Sequence, residues 1–220
     1  MTRPTVKQPS DDVKRPYVSP ARDAQGVATR RRIREAAGRL FLTDGYVGTS
    51  MSDIATAADV SRPTVFNVFG SKAALLKEVA DVCLAGDDAP LDLLQRPLGL
   101  QLVNATDPND LLRVQAKYAA EIMERVAPIL TVITDAASVD PDARELMAVQ
   151  EEGRLFGMGV AVDRLAELGA LRTGVSRQHA KEALWLLGGL EPWRLAQQRG
   201  WARRKYERWF HTCARALLLD

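Results

Sequence analysis

The sequence predicts an all-helical (all-α) protein with a core large enough to fold without crosslinks. Apolar residues recur at the spacing of helix faces along most of the chain, and no stretch of any length alternates between apolar and polar residues as a half-buried strand does. Residues that cap helices stand before several of the apolar stretches. Of the 220 residues, 46% are hydrophobic, so the chain can bury a substantial core.

Residues 1–27 differ from the rest of the chain and are predicted to form a flexible tail. They contain four prolines and five basic residues but few large apolar ones. Such a composition buries too little surface to offset the conformational entropy that is lost when a segment becomes ordered.

Four short helices are predicted between Ala28 and Gly86. The first ends at Asp44–Gly45, where glycine tolerates a left-handed backbone. Each of the next three begins after a serine whose hydroxyl can cap the backbone amides of the first turn. These serines are Ser50, Ser61 and Ser71. Asp53 completes a capping box with the first serine, and Pro63 is tolerated in the first turn of the third helix.

The rest of the chain also has helical patterns. Asp107–Pro108 and Asp140–Pro141 each pair a capping residue with a first-turn proline, which predicts the starts of two long helices. The first is expected to stop or kink at Pro128, and the second to run to Gly169. Two further helices are predicted, from Ser176 and from about Ala202.

Basic residues are concentrated in the first third of the chain. Residues 1–80 carry 13 Lys or Arg against 8 Asp or Glu, whereas residues 81–220 carry 17 against 20. Because nucleic-acid phosphates attract cations, this asymmetry favours the N-terminal region as a nucleic-acid-binding part. A solvated basic face is the alternative explanation, and the basic tail either contributes to such contacts or has no specific role.

Membrane proteins and enzymes find little support in the sequence. No window approaches the roughly 20 apolar residues that span a bilayer, no signal peptide is visible, and Cys83 and Cys213 lie far apart as is usual in a reducing compartment. His179 and His211 have no partners at metal-ligand spacing, and no phosphate-binding glycine loop or nucleophile elbow occurs. We therefore expect a cytoplasmic protein that uses no membrane partner, metal or cofactor and is not an enzyme.

One segment has the spacing of a helix-turn-helix. This motif needs a small residue where its two helices touch, a turn residue that accepts unusual backbone angles, and an apolar residue that anchors the second helix. Ala55, Asp59 and Val65 occupy these three places at the usual offsets.

The segments GYVGTSMSDIA, from Gly45 to Ala55, and ADVSRPTVFNVFGSKAALL, from Ala58 to Leu76, resemble the DNA-binding domain of the TetR family in order, spacing and residue type. The resemblance implies a helix-turn-helix domain over residues 28–75 and a helical regulatory and dimerisation domain over residues 76–220. It further implies a homodimer that binds a near-palindromic operator, usually represses, and releases DNA when a small molecule enters the C-terminal domain.

The resemblance identifies Ser61–Phe69 as the recognition helix, whose N-terminal part enters the major groove. Base contacts are expected from three side chains whose chemistry suits guanine, thymine and adenine, namely Arg62, Thr64 and Asn67. The candidates for gripping the phosphate backbone are Thr49, Ser61, Phe66 and Lys72, and Ser50 is a further DNA-binding candidate. For Ser61, helix capping alone is an alternative.

The chain departs from the family pattern at three positions. Asp59 replaces a glycine that is common in the turn, and aspartate reaches the left-handed region more easily than most residues do. Phe66 stands where tyrosine is frequent and so lacks a hydroxyl that could contact phosphate. Val68 replaces a frequent histidine, which removes any contact made by that residue.

Two apolar stretches near the C-terminus resemble the dimerising helices of the family. Residues 183–190 would be apolar all round as a helix, which requires burial on both sides. A second stripe runs from Tyr206 to Leu217. The candidate interface residues are Leu186, Gly189, Trp193, Tyr206, Trp209, Phe210, Cys213 and Leu217. An ordinary monomeric core would also explain both stretches.

The resemblance also implies a ligand pocket between the middle helices. Five large, adaptable or aromatic side chains are candidates to line it, Tyr118, Met123, Phe156, Met158 and Trp185, although each could equally be plain core. The scarcity of charge around them favours a small apolar or aromatic effector.

The leading hypothesis is therefore a ligand-responsive repressor. Two alternatives stay open at this point: an effector-independent or architectural DNA-binding protein, and a ligand- or protein-binding module whose DNA-reading domain is degenerate.

Overall fold

A computed structural model describes residues 20–89 and 92–220, and within these residues the chain forms α-helices, one short 3-10 turn and no strand. The predicted all-helical class is confirmed. The helices are α1 (Pro20–Gly48), α2 (Met51–Ala57), α3 (Arg62–Phe69), α4 (Lys72–Ala85), α5 (Pro97–Val103), α6 (Pro108–Ala137), α7 (Pro141–Glu167), α8 (Arg177–Leu187), α9 (Leu190–Gln198) and α10 (Arg203–Leu218), and the 3-10 turn is Leu93–Gln95.

Helix α1 begins earlier than the sequence pattern predicts, at Pro20 instead of Ala28. Residues 20–27, predicted as part of the tail, are therefore helical, because proline is tolerated in a first turn and mostly good helix formers follow it. The prediction for residues 1–19 lies outside the described residues. At its other end α1 breaks where expected, since Gly45 has a φ of 72° and a non-helical ψ of 175°.

The three serine caps of the N-terminal helices are confirmed. The hydroxyls of Ser50, Ser61 and Ser71 each accept a hydrogen bond from the backbone N–H three residues later, at 3.1, 3.2 and 3.1 Å. Ser50 also donates its own N–H to the Asp53 carboxylate at 2.9 Å, which completes the predicted capping box. These local bonds fix the starts of α2, α3 and α4.

Helix α6 is the centre of the C-terminal domain and contacts α1, α4, α5, α7, α9 and α10. It continues through Pro128 to Ala137, so of the two predicted outcomes the helix does not stop at the proline, and a kink there stays a prediction. Burial of its apolar face against this many neighbours outweighs the one backbone hydrogen bond that a proline removes.

The structure contains two helices that the sequence pattern did not separate or identify. Helix α5 is a seven-residue segment before α6, and the helix that begins after Ser176 ends at Leu187, after which α9 follows. Gly188 lies at this break, where a Cβ atom would come within 3.2 Å of Met158 Cε and 3.3 Å of Phe210 Cε2. The glycine thus allows α7 and α10 to approach the end of α8 closely.

Among the described helices, none combines enough length with enough apolar character to cross a membrane.

Candidate nucleic-acid interface and ligand cavity

Helix α3 is divided into a buried face and an exposed face. Val65 is fully buried and Phe69 is 8% exposed, so this i, i+4 pair anchors the helix in the core. Arg62, Phe66 and Asn67 lie on the exposed side. Two of the three residues predicted to contact bases are therefore presented to solvent on one short helix.

The position of α3 is fixed from α1 by Arg30. The Arg30 guanidinium donates from Nη1 to the carbonyl of Val68 at 3.2 Å and lies 4.6 Å from the centre of the Phe69 ring. It also forms an ion pair with Glu78 on α4. One side chain thus connects three helices of the N-terminal domain and donates a hydrogen bond to a carbonyl near the C-terminal end of α3.

Arg62 is free to make external contacts. Its guanidinium lies 5.3 Å from the centre of the Phe66 ring, one helical turn away. Within the described part of the chain, no carboxylate lies within salt-bridge distance of Arg62. The aromatic ring orients the guanidinium without using its N–H donors, which leaves them available for acceptors on another molecule.

The hydroxyls of Ser61 and Thr64 interact with each other at the start of α3. Their oxygens are 2.8 Å apart, and Ser61 Oγ caps the helix as described above. Ser61 is exposed and Thr64 is half-buried. The capping role of Ser61 is therefore established by geometry, while contacts of either residue with DNA stay a prediction.

The turn before α3 uses the left-handed conformation that was expected for Asp59. Its φ is 52°, and among the described residues it is the only non-glycine with a positive φ. The turn therefore keeps its shape with aspartate in place of glycine, at some cost in backbone strain.

Thr49 and Lys72 are used inside the protein, and contacts of their side chains with phosphate stay a prediction. Thr49 is 2% exposed, and its hydroxyl donates to the carbonyl of Gly45 at 2.8 Å. The Lys72 ammonium donates to the carbonyls of Tyr46 at 2.8 Å and Thr49 at 3.0 Å, and lies 4.0 Å from the centre of the Tyr46 ring. Carbonyls left unpaired after Gly45 breaks α1 attract this cation, an effect that the sequence pattern does not show.

Tyr46 connects the N-terminal domain to the C-terminal domain. Its buried hydroxyl donates to Asp140 Oδ2 at 2.5 Å, and Asp140 Oδ1 accepts the N–H of Asp142 at the start of α7. Burial and this bond raise the pKa of Tyr46, and the same bond lowers the pKa of Asp140. The corner between α6 and α7 is therefore tied to the segment between α1 and α2.

A cavity of about 260 Å³ lies between α4, the 3-10 turn, α6 and α7. Most of its wall is apolar. Four of the five predicted residues line it, namely Tyr118, Met123, Phe156 and Met158. Trp185 does not, because its ring packs 4.6 Å from the Arg154 guanidinium and its Nε1 donates to Glu151 at 2.9 Å.

The sequence analysis missed four polar residues in the cavity wall, namely Asp92, Gln115, Gln150 and Arg154. Gln115 is 1% exposed and donates from Nε2 to Met158 Sδ at 3.1 Å, whereas its Oε1 has no partner among the described residues. Arg154 donates to the Trp185 carbonyl at 2.6 Å and to Glu151 at 2.5 Å. A Glu–Arg pair at i, i+3 is typical of a solvated helix face, so the sequence pattern did not indicate that Arg154 lines a cavity.

The candidate dimer residues separate into two groups. Trp193, Tyr206, Phe210 and Gly189 are buried within the chain itself, and their place in an interface stays a prediction. The inward stripe of α10 repeats every four residues, as Tyr206, Phe210, Ala214 and Leu218, so these side chains face α6 and α8. Leu186 and Leu217 are 61% and 44% exposed, and Trp209 and Cys213 are half-buried.

No group of three or more potential metal ligands occurs in the part of the chain that the structure describes. Cys83 and Cys213 are unpaired and half-buried, and burial raises the pKa of both thiols. His211 Nε2 lies 3.0 Å from Asn109 Oδ1, and His179 is exposed. The absence of enzymatic activity stays a prediction.

Residues 33–79 match the sequence profile of a family described as "Bacterial regulatory proteins, tetR family". No curated protein sequence matches the chain. Among solved structures, NalD of Pseudomonas aeruginosa, the secondary repressor of the MexAB-OprM multidrug efflux pump, is 24% identical, with 90% of this chain and 98% of that chain covered and a TM-score of 0.67.

Two further solved structures share the fold. PfmR of Thermus thermophilus, a TetR family transcriptional regulator, is 24% identical, with 83% of this chain and 96% of that chain covered and a TM-score of 0.60. A protein of Saccharomonospora viridis, crystallised with choline and described as a transcriptional regulator, is 18% identical, with 88% and 99% covered and a TM-score of 0.67. At these identities the likeness shows the fold.

Replacing Asp59 by glycine is expected to stabilise the protein. Glycine has no Cβ to clash at positive φ, so Asp59→Gly should raise the free energy of unfolding by about 0.5–1 kcal/mol, whereas Asp59→Ala should lower it. Urea unfolding followed by circular dichroism measures both. If Asp59→Gly is no more stable than Asp59→Ala, the backbone of this turn is not strained.

Removal of the Tyr46 hydroxyl should destabilise the protein in a pH-dependent way. Tyr46→Phe is expected to cost about 1–2 kcal/mol at pH 7, because a hydrogen bond to a carboxylate is lost. Since folding lowers the pKa of Asp140, the contribution of this bond is present above the unfolded pKa of aspartate and is lost as pH falls through the folded value. The difference between the two proteins in urea unfolding should therefore shrink between about pH 5 and pH 3. A difference that is constant over this range would contradict the Tyr46–Asp140 bond.

Proposed function

We propose that the chain is a DNA-binding transcription regulator of the TetR family, supported by the match of residues 33–79 and by the shared fold, and that it acts as a homodimeric repressor. Its two recognition helices bind the two halves of one near-palindromic operator in double-stranded DNA. A small apolar or aromatic effector in the cavity releases the operator.

The exposed face of α3 is the observation that carries this proposal. A helix anchored by Val65 and Phe69 presents Arg62 and Asn67 outward, and neither is paired with a carboxylate within the described residues. Arginine can donate two hydrogen bonds to guanine, and the amide of asparagine pairs in the same way with adenine. The intact cap and anchored helix favour this function over a degenerate DNA-reading domain.

The cavity supports regulation by a small molecule. Ala80 and Leu84 of α4 form part of its wall, and α4 begins two residues after the recognition helix ends. A molecule that changes the position of α4 would therefore change the position of α3. The choline in the Saccharomonospora viridis structure supports a small-molecule site in this fold, and the cavity disfavours the effector-independent alternative.

Helices α8 and α10 support association of two copies. They contact each other, and each carries an exposed leucine, Leu186 and Leu217, with half-buried Trp209 and Cys213 beside the latter. Covering such residues with the same surface of a second copy buries apolar area. A dimer also explains how an eight-residue helix achieves useful specificity, because two half-sites are read together.

Arg62→Ala and Asn67→Ala should each weaken specific DNA binding without unfolding the chain. Operators would first be selected by the wild-type protein from a random duplex pool, and a two-fold symmetric consensus is expected. Loss of a bidentate base contact costs about 1–3 kcal/mol, so affinity by fluorescence anisotropy should fall about ten-fold or more per half-site.

Arg199→Ala is the matched control, since it removes one exposed positive charge on the C-terminal domain. It should leave the affinity near that of the wild type. If Arg62→Ala and Asn67→Ala bind the selected duplex as tightly as the control does, α3 does not read the bases.

The double variant Leu186→Arg, Leu217→Arg should be monomeric, because two charges in each copy would be buried unpaired in the proposed interface. Analytical ultracentrifugation measures the change. Leu100→Arg, Val139→Arg is the control, as it adds the same charge at residues that are 48% and 62% exposed on other helices and loops. A dimer that survives the first pair of substitutions would place the interface elsewhere.

A further inference from the structure

The shape of the cavity restricts the effector. Its lining residues on α6 run from Gln115 to Leu130 and those on α7 from Gln150 to Val160. At 1.5 Å per residue these segments extend about 22 Å and about 15 Å along their helices. Gln115 contacts Met158 on α7, so the two helices run antiparallel along the cavity and Gln150 lies toward its other end. With a volume of about 260 Å³, the space is long and narrow.

The two ends of the cavity differ in exposure. Gln115 and Met158 are 1% and 7% exposed, so the part of the wall that they form is closed. Gln150, toward the other end, is half-buried. Phe156 lies two residues before Met158 on α7 and is 75% exposed, so an open edge of the cavity lies near Gln115. A molecule that enters past Phe156 can therefore place one end against Gln115.

The closed end contains an acceptor without a donor. The amide of Gln115 uses its Nε2 on the Met158 thioether, a weak acceptor, while Oε1 is buried without a partner among the described residues. A buried oxygen in this state raises the free energy of the folded chain, which is why such atoms are rare in proteins. The walls around it are formed mainly by apolar side chains.

From the shape and the acceptor together, we infer that the effector is an elongated apolar molecule with an O–H or N–H donor at one end, and that this donor binds Gln115 Oε1. The inference rests on the proposed function, because it assigns the ligand class of the same cavity. Gln115 lies in the cavity wall and its amide contacts the weak acceptor Met158 Sδ, so a rotation of this amide would turn Oε1 toward a donor in the cavity. Apolar burial supplies most of the affinity, and Gln115 selects the donor.

Isomeric probes test the donor. Isothermal titration calorimetry on the full-length wild-type protein, without DNA, would compare 1-octanol with 1-methoxyheptane, which has the same atoms but no donor. We expect 1-octanol to bind about ten-fold more tightly, as a buried acceptor that gains a donor recovers a net hydrogen bond. Equal affinities would overturn the assignment of Gln115 as a selecting residue.

A substitution tests whether Gln115 causes the preference for 1-octanol. Gln115→Met keeps an unbranched side chain of similar length and removes the acceptor, so 1-octanol and 1-methoxyheptane should then bind equally. Gln150→Met, toward the other end of the cavity, should keep the ten-fold preference. If Gln115→Met does not fold, Gln115→Leu replaces it. The comparison of 1-octanol with 1-methoxyheptane in the wild-type protein tests the donor in either case. A preference that persists in a folded Gln115 variant overturns the inference.

Chain length and shape test the elongated cavity. Affinity should rise about four-fold for each added CH₂ from 1-butanol to 1-octanol, the increment expected for apolar burial. Cyclooctanol, with eight carbons and the same hydroxyl, should bind at least ten-fold more weakly than 1-octanol. If cyclooctanol binds as tightly, or if no alcohol binds, the long narrow cavity is not the binding site for such ligands.

Release of DNA is measured separately from binding. Adding 1-octanol to the protein–operator complex and following anisotropy tests the repressor mechanism. Donor-selective binding without release supports the ligand class and rejects effector control of the operator. Release by a compound that lacks a donor, with no effect of Gln115→Met, overturns the ligand class and leaves the proposed function intact.

Discussion

The anchoring of an eight-residue helix is the constraint on which the rest of the structure depends. An isolated helix as short as α3 is not stable in water, so its position and its exposed face exist only through contacts made elsewhere. Val65 and Phe69 bury its inner side in the core, and Arg30 hydrogen-bonds the carbonyl of Val68 near its C-terminal end. The turn before it contains Asp59 in a left-handed conformation that few residues adopt. As a consequence, Arg62 is exposed to solvent. If α3 reads DNA as proposed, its specificity depends on core packing as much as on its exposed side chains.

Contacts of α4 and α7 connect the N-terminal helices to the cavity of the C-terminal domain. Helix α4 lines the cavity at its C-terminal half, and at its first residue Lys72 binds the carbonyls of Tyr46 and Thr49. Tyr46 in turn binds Asp140 at the start of α7, whose middle forms another wall of the cavity. Two continuous sets of contacts thus link the cavity to the DNA-binding helices. A ligand shifts such a system only if it binds one arrangement more tightly than the other. A ligand in a long narrow cavity would distinguish the two arrangements, because it contacts the walls along its whole length.

The features that sequence reasoning could predict are those that depend on neighbours in the chain. The caps at Ser50, Ser61 and Ser71 and the break at Gly45 rest on bonds and angles within a few residues, and all are present. The all-helical class follows from the periodicity of apolar residues, whereas the pocket between the middle helices is implied by the resemblance to the TetR family. Contacts between distant residues could not be predicted, such as the bond between Tyr46 and Asp140, 94 positions apart. For the same reason the sequence pattern could not distinguish Tyr206 and Phe210, which face their own core, from Trp209, which is half-buried.

The closed end of the cavity and the proposed dimer surface share their supporting residues. Met158 lines the cavity beside Gln115 and also packs against Gly188, where α8 ends, and Phe210 of α10 contacts the same glycine. A ligand that moves Met158 toward α8 would displace one of these neighbours, because protein interiors are close-packed. If two copies pair through α8 and α10 as proposed, a displacement at the end of α8 would also change the spacing of their two recognition helices. In that case a donor bound at Gln115 would act on operator binding in addition to the direct route through α4.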